Sequence, residues 1–255
     1  MDAVARVTGN RWDFCAEGYD QIIQREFADE RAKKWGNLLR ENAPCKTGRV
    51  LDVGTGPGYF SVLMGLMGWK ATGIDCSQKM VETAGRNAER AGIKASYFRM
   101  DNHALEFADN TFDYLISRNV TWILYRPEQA FREWLRVLKP GGRLLYLDAN
   151  WHYSRDPALT QACARDREEY IRLYGEPENT YHGDEKTDAE FRKTLYFNNV
   201  WRPDWDKDHL PEFGYCNIRV TERVNEYVYD VPKQLLYRSM PMFLVTADKP
   251  LRDKK

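Results

Sequence analysis

Three glycines, Gly54, Gly56 and Gly58, alternate with Thr55 and Pro57 directly after a short apolar run, Val50, Leu51 and Val53, interrupted by Asp52. A turn of this composition carries few side chains to hold a ligand at a distance, and its backbone N–H groups are free to approach an anionic group. About twenty residues further on, Asp75 ends the apolar run 70–74, where a carboxylate can accept hydrogen bonds from both hydroxyls of a ribose. The elements that must position these groups follow from the pattern. Residues 50–53 read as a buried strand, 59–67 as a helix packed on a sheet, and 70–74 as the next strand. That is a βαβ unit with a ligand at its switch point.

A dinucleotide fingerprint needs Gly or Ala where this chain has Tyr59, so NAD is disfavoured. The run Asp52-Val53-Gly54-Thr55-Gly56-Pro57-Gly58 resembles motif I of the class I S-adenosylmethionine-dependent methyltransferases, in particular the quinone-biosynthesis and small-molecule group. The resemblance implies a cofactor, S-adenosyl-L-methionine, with its methionine end on Gly54, Thr55, Gly56 and Gly58 and its ribose on Asp75. The glycine run alone is equally compatible with a tight turn in another α/β protein.

Later segments extend the likeness. Ser77 suits an N-cap for a helix carrying Met80, Val81, Ala84 and Ala88 and stopped by Gly92. Cys76 and Met80 join the candidate cofactor residues, since in the family a residue of this turn flanks the adenine. Residues 93–98 read as strand three, and Asp101 and Asn102 resemble the acidic loop after it, where the family's acid accepts from the adenine amine. An ionised carboxylate only accepts, which matches an amine that only donates. His103 in the same loop reads as a solvated or backbone-bonded residue rather than a base. Residues 111–120 read as strand four, and Arg118 and Asn119 near its end are carried over as cofactor contacts. Pro127 opens a helix with Phe131, Trp134, Leu135 and Leu138 on one face, Lys139-Pro140-Gly141-Gly142 ends it, and 143–147 is strand five. The order of these pieces is a specific signature covering residues 50–148. It implies a Rossmann-like, doubly wound α/β sheet of seven strands, mostly parallel with an antiparallel last strand, under a helical cap.

Length and charge bound the rest. At 255 residues the chain fits one domain with a sizeable insertion: cap helices in 1–45, the cofactor core in 46–150, a substrate cover in 151–212 and closing strands in 213–250. The 38 basic residues cancel the 38 acidic ones, so no overall field favours nucleic acid or an anionic membrane. There is neither a signal-peptide pattern nor an apolar run long enough to span a bilayer, which leads to an expectation of a cytoplasmic protein. Cys15, Cys45, Cys76, Cys163 and Cys216 form no C-x-x-C pair, as befits reduced thiols rather than a disulfide frame or zinc site. No metal is expected, since His182, Asp184, Glu185 and His209 are irregularly spaced.

Residues 11–42 read as two helices preceding the sheet. Ala16 to Asp20 resembles an A-x-x-Y-D segment that many of these enzymes fold over the cofactor, which would bring Tyr19 near the sulfonium; the alternative is a packing role. Arg11 and Trp12 are weaker candidates for the entrance. Beyond strand five, Trp151, His152 and Tyr153 stand at the ligand-binding edge of the sheet, and His152 is a candidate base. Residues 156–174 suggest a helix, 215–229 one or two strands, and 242–246 the last strand. Tyr19 and His152 are thus the candidate catalytic residues. The expected reaction is in-line methyl transfer to a small-molecule acceptor, which needs alignment and exclusion of water more than acid–base help. An RNA or protein methyltransferase and a catalytically silent cofactor-binding protein are the alternatives. The acceptor atom and the oligomeric state are not legible.

Overall fold

Short β-branched runs alternating with amphipathic stretches dictate a layered α/β architecture. In the computed structural model, which describes residues 1–151, 153, 156–177 and 185–251, seven strands form one sheet. They are β1 (Arg49–Val53), β2 (Lys70–Asp75), β3 (Ala95–Arg99), β4 (Phe112–Arg118), β5 (Leu138–Asp148), β6 (Cys216–Thr221) and β7 (Phe243–Asp248), in the order β3-β2-β1-β4-β5-β7-β6. The first five run parallel. β7 is antiparallel both to β5 and to β6, so it alone is reversed. The winding changes direction between β1 and β4, and that crevice is where an open parallel sheet accepts a ligand.

Alternation along the strands divides the core between two faces. Leu51, Val53 and Leu115 face one side, beneath Phe131, Trp134 and Val137 of α5 (Pro127–Val137). Val50, Tyr114 and Ile116 face the other, against Trp35 and Leu39 of α2 (Glu30–Glu41) and Phe60 and Met64 of α3 (Tyr59–Leu66). Burial on both faces is why these strands read as apolar runs.

The helix starts follow capping chemistry. Asp2 opens α1 (Ala3–Ala28), and Asp29 breaks it, its side chain accepting from Arg31 N at 2.8 Å to start α2. Ser77 caps α4 (Gln78–Arg90), Pro127 occupies the first turn of α5, and Asp156 caps α6 (Pro157–Tyr174). Then come α7 (Glu185–Arg192) and α8 (Asp204–His209) before β6, and α9 (Asn225–Val228) and α10 (Val231–Leu236) before β7. Among the described residues no helix is long and apolar enough to cross a membrane.

Two readings gain their bounds. The alternating residues 215–229, left open as one or two strands, make one: Arg223 adopts a left-handed φ of 58°, and α9 follows, held by Asn225 Oδ1 accepting from Met242 N at 3.1 Å. β6 and β7 are therefore neighbours without being a hairpin. β5 also starts earlier than 143, because the Pro140-Gly141-Gly142 segment is absorbed as a register shift against β4 between Phe112 and Tyr114.

The insertion between β5 and β6 is anchored by a buried ion pair. Arg202 is 1% exposed and donates through Nε to Asp206 Oδ2 at 2.8 Å and through Nη1 to Thr121 Oγ1 at 2.7 Å, while the Tyr146 hydroxyl also donates to Asp206. Removing Asp206 would leave the buried Arg202 with only the more distant Asp148 carboxylate, 3.9 Å away. Asp206→Ala is expected to lower the unfolding free energy by about 3–5 kcal/mol, measured by equilibrium urea denaturation; a loss below about 1 kcal/mol would mean that the pair behaves as a surface bridge.

Candidate functional site

The turn after β1 takes its shape from left-handed backbone at Gly54 (φ 65°) and Gly56 (φ 52°), which side chains resist. A Cβ on Gly54 would also lie 2.3 Å from Val120 Cγ2. Two strand-end carboxylates hold the turn. Asp52 accepts from Thr55 Oγ1 at 2.7 Å and Ser61 N at 2.9 Å, and Asp75 accepts from Gly56 N at 3.0 Å and Ser77 N at 2.9 Å. Burial pushes both carboxyls up to about 6, against the opposing pull of these hydrogen bonds. Each Asp75 oxygen is occupied by one backbone donor and so retains a second lone pair.

A cleft opens above this turn. Its walls include Trp12 and Tyr19 of α1, Gly54, Gly56, Asp75, Cys76, Met80, Asn102, Arg118 and Asn119, with Val120 and Ile123 beneath. Three of them carry buried polar atoms without a hydrogen-bond partner: Trp12 Nε1, Asn102 Oδ1 and Asn119 Oδ1. Such atoms are costly unless a bound molecule satisfies them. A larger, more open hollow lies on the α5 side, walled by Arg126, Trp205 and His209, but none of its wall residues has an orphaned buried polar atom of this kind. The chemistry therefore points to the smaller cleft.

The remaining candidates are placed as follows. Thr55 turns its hydroxyl inward to Asp52, and Gly58 precedes α3 with Ala84 Cβ 3.0 Å from where its own Cβ would be. Asp101 sits behind Asn102, accepting from His103 N and Nδ1 at 3.0 and 2.9 Å and from Tyr125 Oη at 3.1 Å. Burial alone would raise its carboxyl, but these donors hold it down at about 2. His103 packs against Tyr125 at a tilt of 36°, ring centres 3.8 Å apart, and receives Arg126 N at Nε2, 3.4 Å away, so it is structurally bonded within the loop. Arg118 donates to Glu26 Oε2 of α1 at 2.7 Å and lies 4.7 Å from the centre of the Tyr59 ring. Burial disfavours its charge, but the Glu26 carboxylate more than compensates and raises its pKa.

Tyr19, Arg118 and Asn119 also border a second chamber, adjoining the cleft and walled by Glu26, Arg31, Tyr170, Tyr229, Lys233 and Tyr237. Sequence reasoning passed over these walls. The only local signal is the concentration of tyrosines after position 226. His152 lies outside the described residues, as do His182 and Asp184, and of the Glu185 side chain nothing is described. Trp151 packs on Tyr237 at 5.4 Å, whereas Tyr153 packs on Trp201 at 5.1 Å. Arg11 pairs with Asp188 of α7 at 3.3 Å, and His209 stacks on Trp205. Among the described residues no three His, Cys, Asp or Glu side chains gather as a metal site.

Comparison with known proteins is consistent with this geometry. A family model described as a methyltransferase domain matches residues 51–146. An uncharacterised methyltransferase of Mycobacterium tuberculosis is 31% identical over 179 residues, 67% of this chain and 70% of that one. The ubiquinone/menaquinone biosynthesis C-methyltransferase UbiE of Roseobacter denitrificans is 36% identical over 149 residues, 50% of this chain and 58% of its own length. Among solved structures, Haemonchus contortus phosphoethanolamine N-methyltransferase 2 in complex with S-adenosyl-L-methionine shares the fold. Its TM-score is 0.58 at 20% identity, covering 86% of this chain and 52% of that one.

The raised carboxyls have a consequence for stability. Because Asp52 and Asp75 bind their protons more tightly in the folded state than in the unfolded chain, their contribution is most favourable at low pH. It declines as pH rises from the ordinary aspartate range to about 6. Replacing either by Asn should flatten this part of the pH–stability curve. Urea midpoints measured across that window for wild type, Asp52→Asn and Asp75→Asn test it; identical slopes in all three proteins would refute the burial argument.

Proposed function

From the premise that the chain belongs to the class I S-adenosylmethionine-dependent methyltransferases, we propose that it methylates a small-molecule acceptor seated in the tyrosine-walled chamber. The observation that carries this reading is the sharing of Tyr19, Arg118 and Asn119 between the cleft and the chamber. Two ligands in adjoining spaces would meet at those residues.

The walls suit the cofactor. The turn at Gly54 and Gly56, without side chains, leaves room for its amino-acid end, the remaining lone pairs of Asp75 suit the ribose diol, and Met80 and Asn102 the adenine. When bound, S-adenosylmethionine supplies a methyl group on a positively charged sulfur, open to in-line displacement. The protein's share is orientation and dryness. Trp12 and Tyr19, whose ring centres lie 6.0 Å apart, cover the cleft from α1, and Tyr19 stands where the acceptor and the transferable methyl would approach each other. Asn119, in a left-handed conformation at φ 58°, has an unpartnered side-chain oxygen, Oδ1, suited to a donor on either ligand. In this reading residues 1–45 and 151–212 form the cover that selects the acceptor.

A polymeric acceptor fits less well. The 151–212 segment holds 14 acidic against 9 basic residues, the wrong balance for gripping a phosphate backbone. Incubation with labelled cofactor and acceptors of each class tests the proposal: label should enter a small molecule, and transfer only to RNA or protein would overturn it. Tyr19→Phe should lower turnover more than it weakens cofactor binding.

The diol donates more strongly to an ionised Asp75, whose carboxyl is raised to about 6 by burial, than to the protonated form, which offers fewer and weaker acceptors. Cofactor affinity should therefore fall as pH drops below about 6, with proton release on binding in that range. Asp75→Asn should weaken binding by about 3 kcal/mol, roughly a hundredfold in Kd, and remove the pH dependence. Calorimetry in buffers of different ionisation enthalpy checks both, and unchanged affinity would show that the ribose lies elsewhere.

A further inference from the structure

The chamber beside the cleft has an uneven supply of hydrogen-bonding groups. Its carboxylates are engaged: Glu26 faces Arg118 at 2.7 Å and Arg31 Nη1 at 3.6 Å, and Asp230 caps α10 by accepting from Lys233 N at 3.0 Å. Its cations are not all engaged. Arg31 gives Nε and Nη2 to Asp29, but its Nη1 is buried without a hydrogen bond. The Lys233 ammonium has no carboxylate or carbonyl partner among the described residues; it stands 5.4 Å from the centre of the Tyr229 ring. A half-buried ammonium with three unused donors is in an unfavourable position, and burial accordingly lowers the Lys233 pKa.

Around these donors the walls are aromatic. Tyr229 and Tyr237 have ring centres 5.8 Å apart, Tyr170 and Tyr174 5.4 Å, and Tyr19 closes the inner end. Such faces and edges receive a planar ring. Three carboxylates share the wall with three cations, but Glu26 is already paired with Arg118 and Arg31, Glu176 with Arg167, and Asp230 accepts from Lys233 N, whereas the Lys233 ammonium has no such partner among the described residues.

Building on the reading of this chamber as the acceptor site, we propose that the acceptor is a small aromatic anion whose negative group is held by Lys233 and Arg31, with its ring between the tyrosines and its methyl-accepting atom toward Tyr19. An anion supplies the acceptor that the Lys233 ammonium lacks and a hydrogen bond for Arg31 Nη1, which has only the Glu26 carboxylate at 3.6 Å, while the cleft side of the chamber remains free for the transfer. Lys233 is then a specificity residue that acts on binding of the acceptor and leaves the cofactor untouched.

The test uses the full chain saturated with S-adenosylhomocysteine and three probes of one shape: benzoate, benzamide and benzylammonium. NMR titration should show benzoate binding about tenfold more tightly than either of the others. Lys233→Met, which keeps the aliphatic stem, should abolish that preference at unchanged melting temperature and unchanged S-adenosylhomocysteine affinity, and Lys233→Arg should retain most of it. Equal binding of the three probes, tighter binding of benzylammonium, no binding of benzoate, or a benzoate preference that survives Lys233→Met would each overturn the proposal. Methyl transfer to a neutral or cationic small molecule would refute the anion site yet keep the small-molecule reading. Transfer only to RNA or protein would remove both.

Discussion

Two carboxylates buried at the ends of neighbouring strands, Asp52 and Asp75, hold the glycine turn against which the site is built. Gly54 and Gly56 need left-handed backbone, and a turn so bent leaves N–H groups that the strands cannot satisfy. Asp52 takes Ser61 N at the start of α3, and Asp75 takes Gly56 N and Ser77 N, linking the turn to the beginning of α4. The cost is visible in their raised pKa values. What is gained is a cradle whose backbone is in place before any ligand arrives.

Over that cradle lies α1, fastened to the sheet by more than apolar contact. Glu26 reaches Arg118 at the end of β4, Asp13 accepts from Lys79 N at 3.1 Å, and Asp20 and Gln24 both bond to Asn87 of α4. Gly9 permits the close approach, since a Cβ there would be 2.5 Å from Cys76 O. The same ties that hold α1 down also place Tyr19 between cleft and chamber. Stability and site geometry are therefore coupled through one helix.

The far side of the sheet is organised by a different kind of interaction. Arg202 and Asp206 are buried in the insertion, against Tyr146 of β5, and the Arg202 guanidinium also lies 4.4 Å from the centre of the Phe197 ring. Burying such a pair is justified by register more than by raw stability. It fixes how the chain returns from β5 to β6.

The local pieces of this protein were legible in its residues because each depends on near neighbours. The strand 50–53, the glycine turn, the acid at Asp75, the Ser77 cap and the Pro127 helix start are consequences of backbone preference and of hydrogen bonds spanning a few positions. The likeness to a methyltransferase motif identified the ligand class from the same stretch. What required the tertiary structure was everything set by distant packing. Asp101 and Asn102 are adjacent in sequence, yet packing against His103 and Tyr125 turns the first carboxylate away and leaves the second side chain in the cleft. The left-handed Arg223 ended a strand that alternation alone would have continued. Tyr19, Arg31, Tyr229 and Lys233 form one chamber only because α1, α2 and the segment before β7 converge on one edge of the sheet. No spacing rule encodes that meeting, since the rotation of each helix about its axis is decided by which apolar faces it buries.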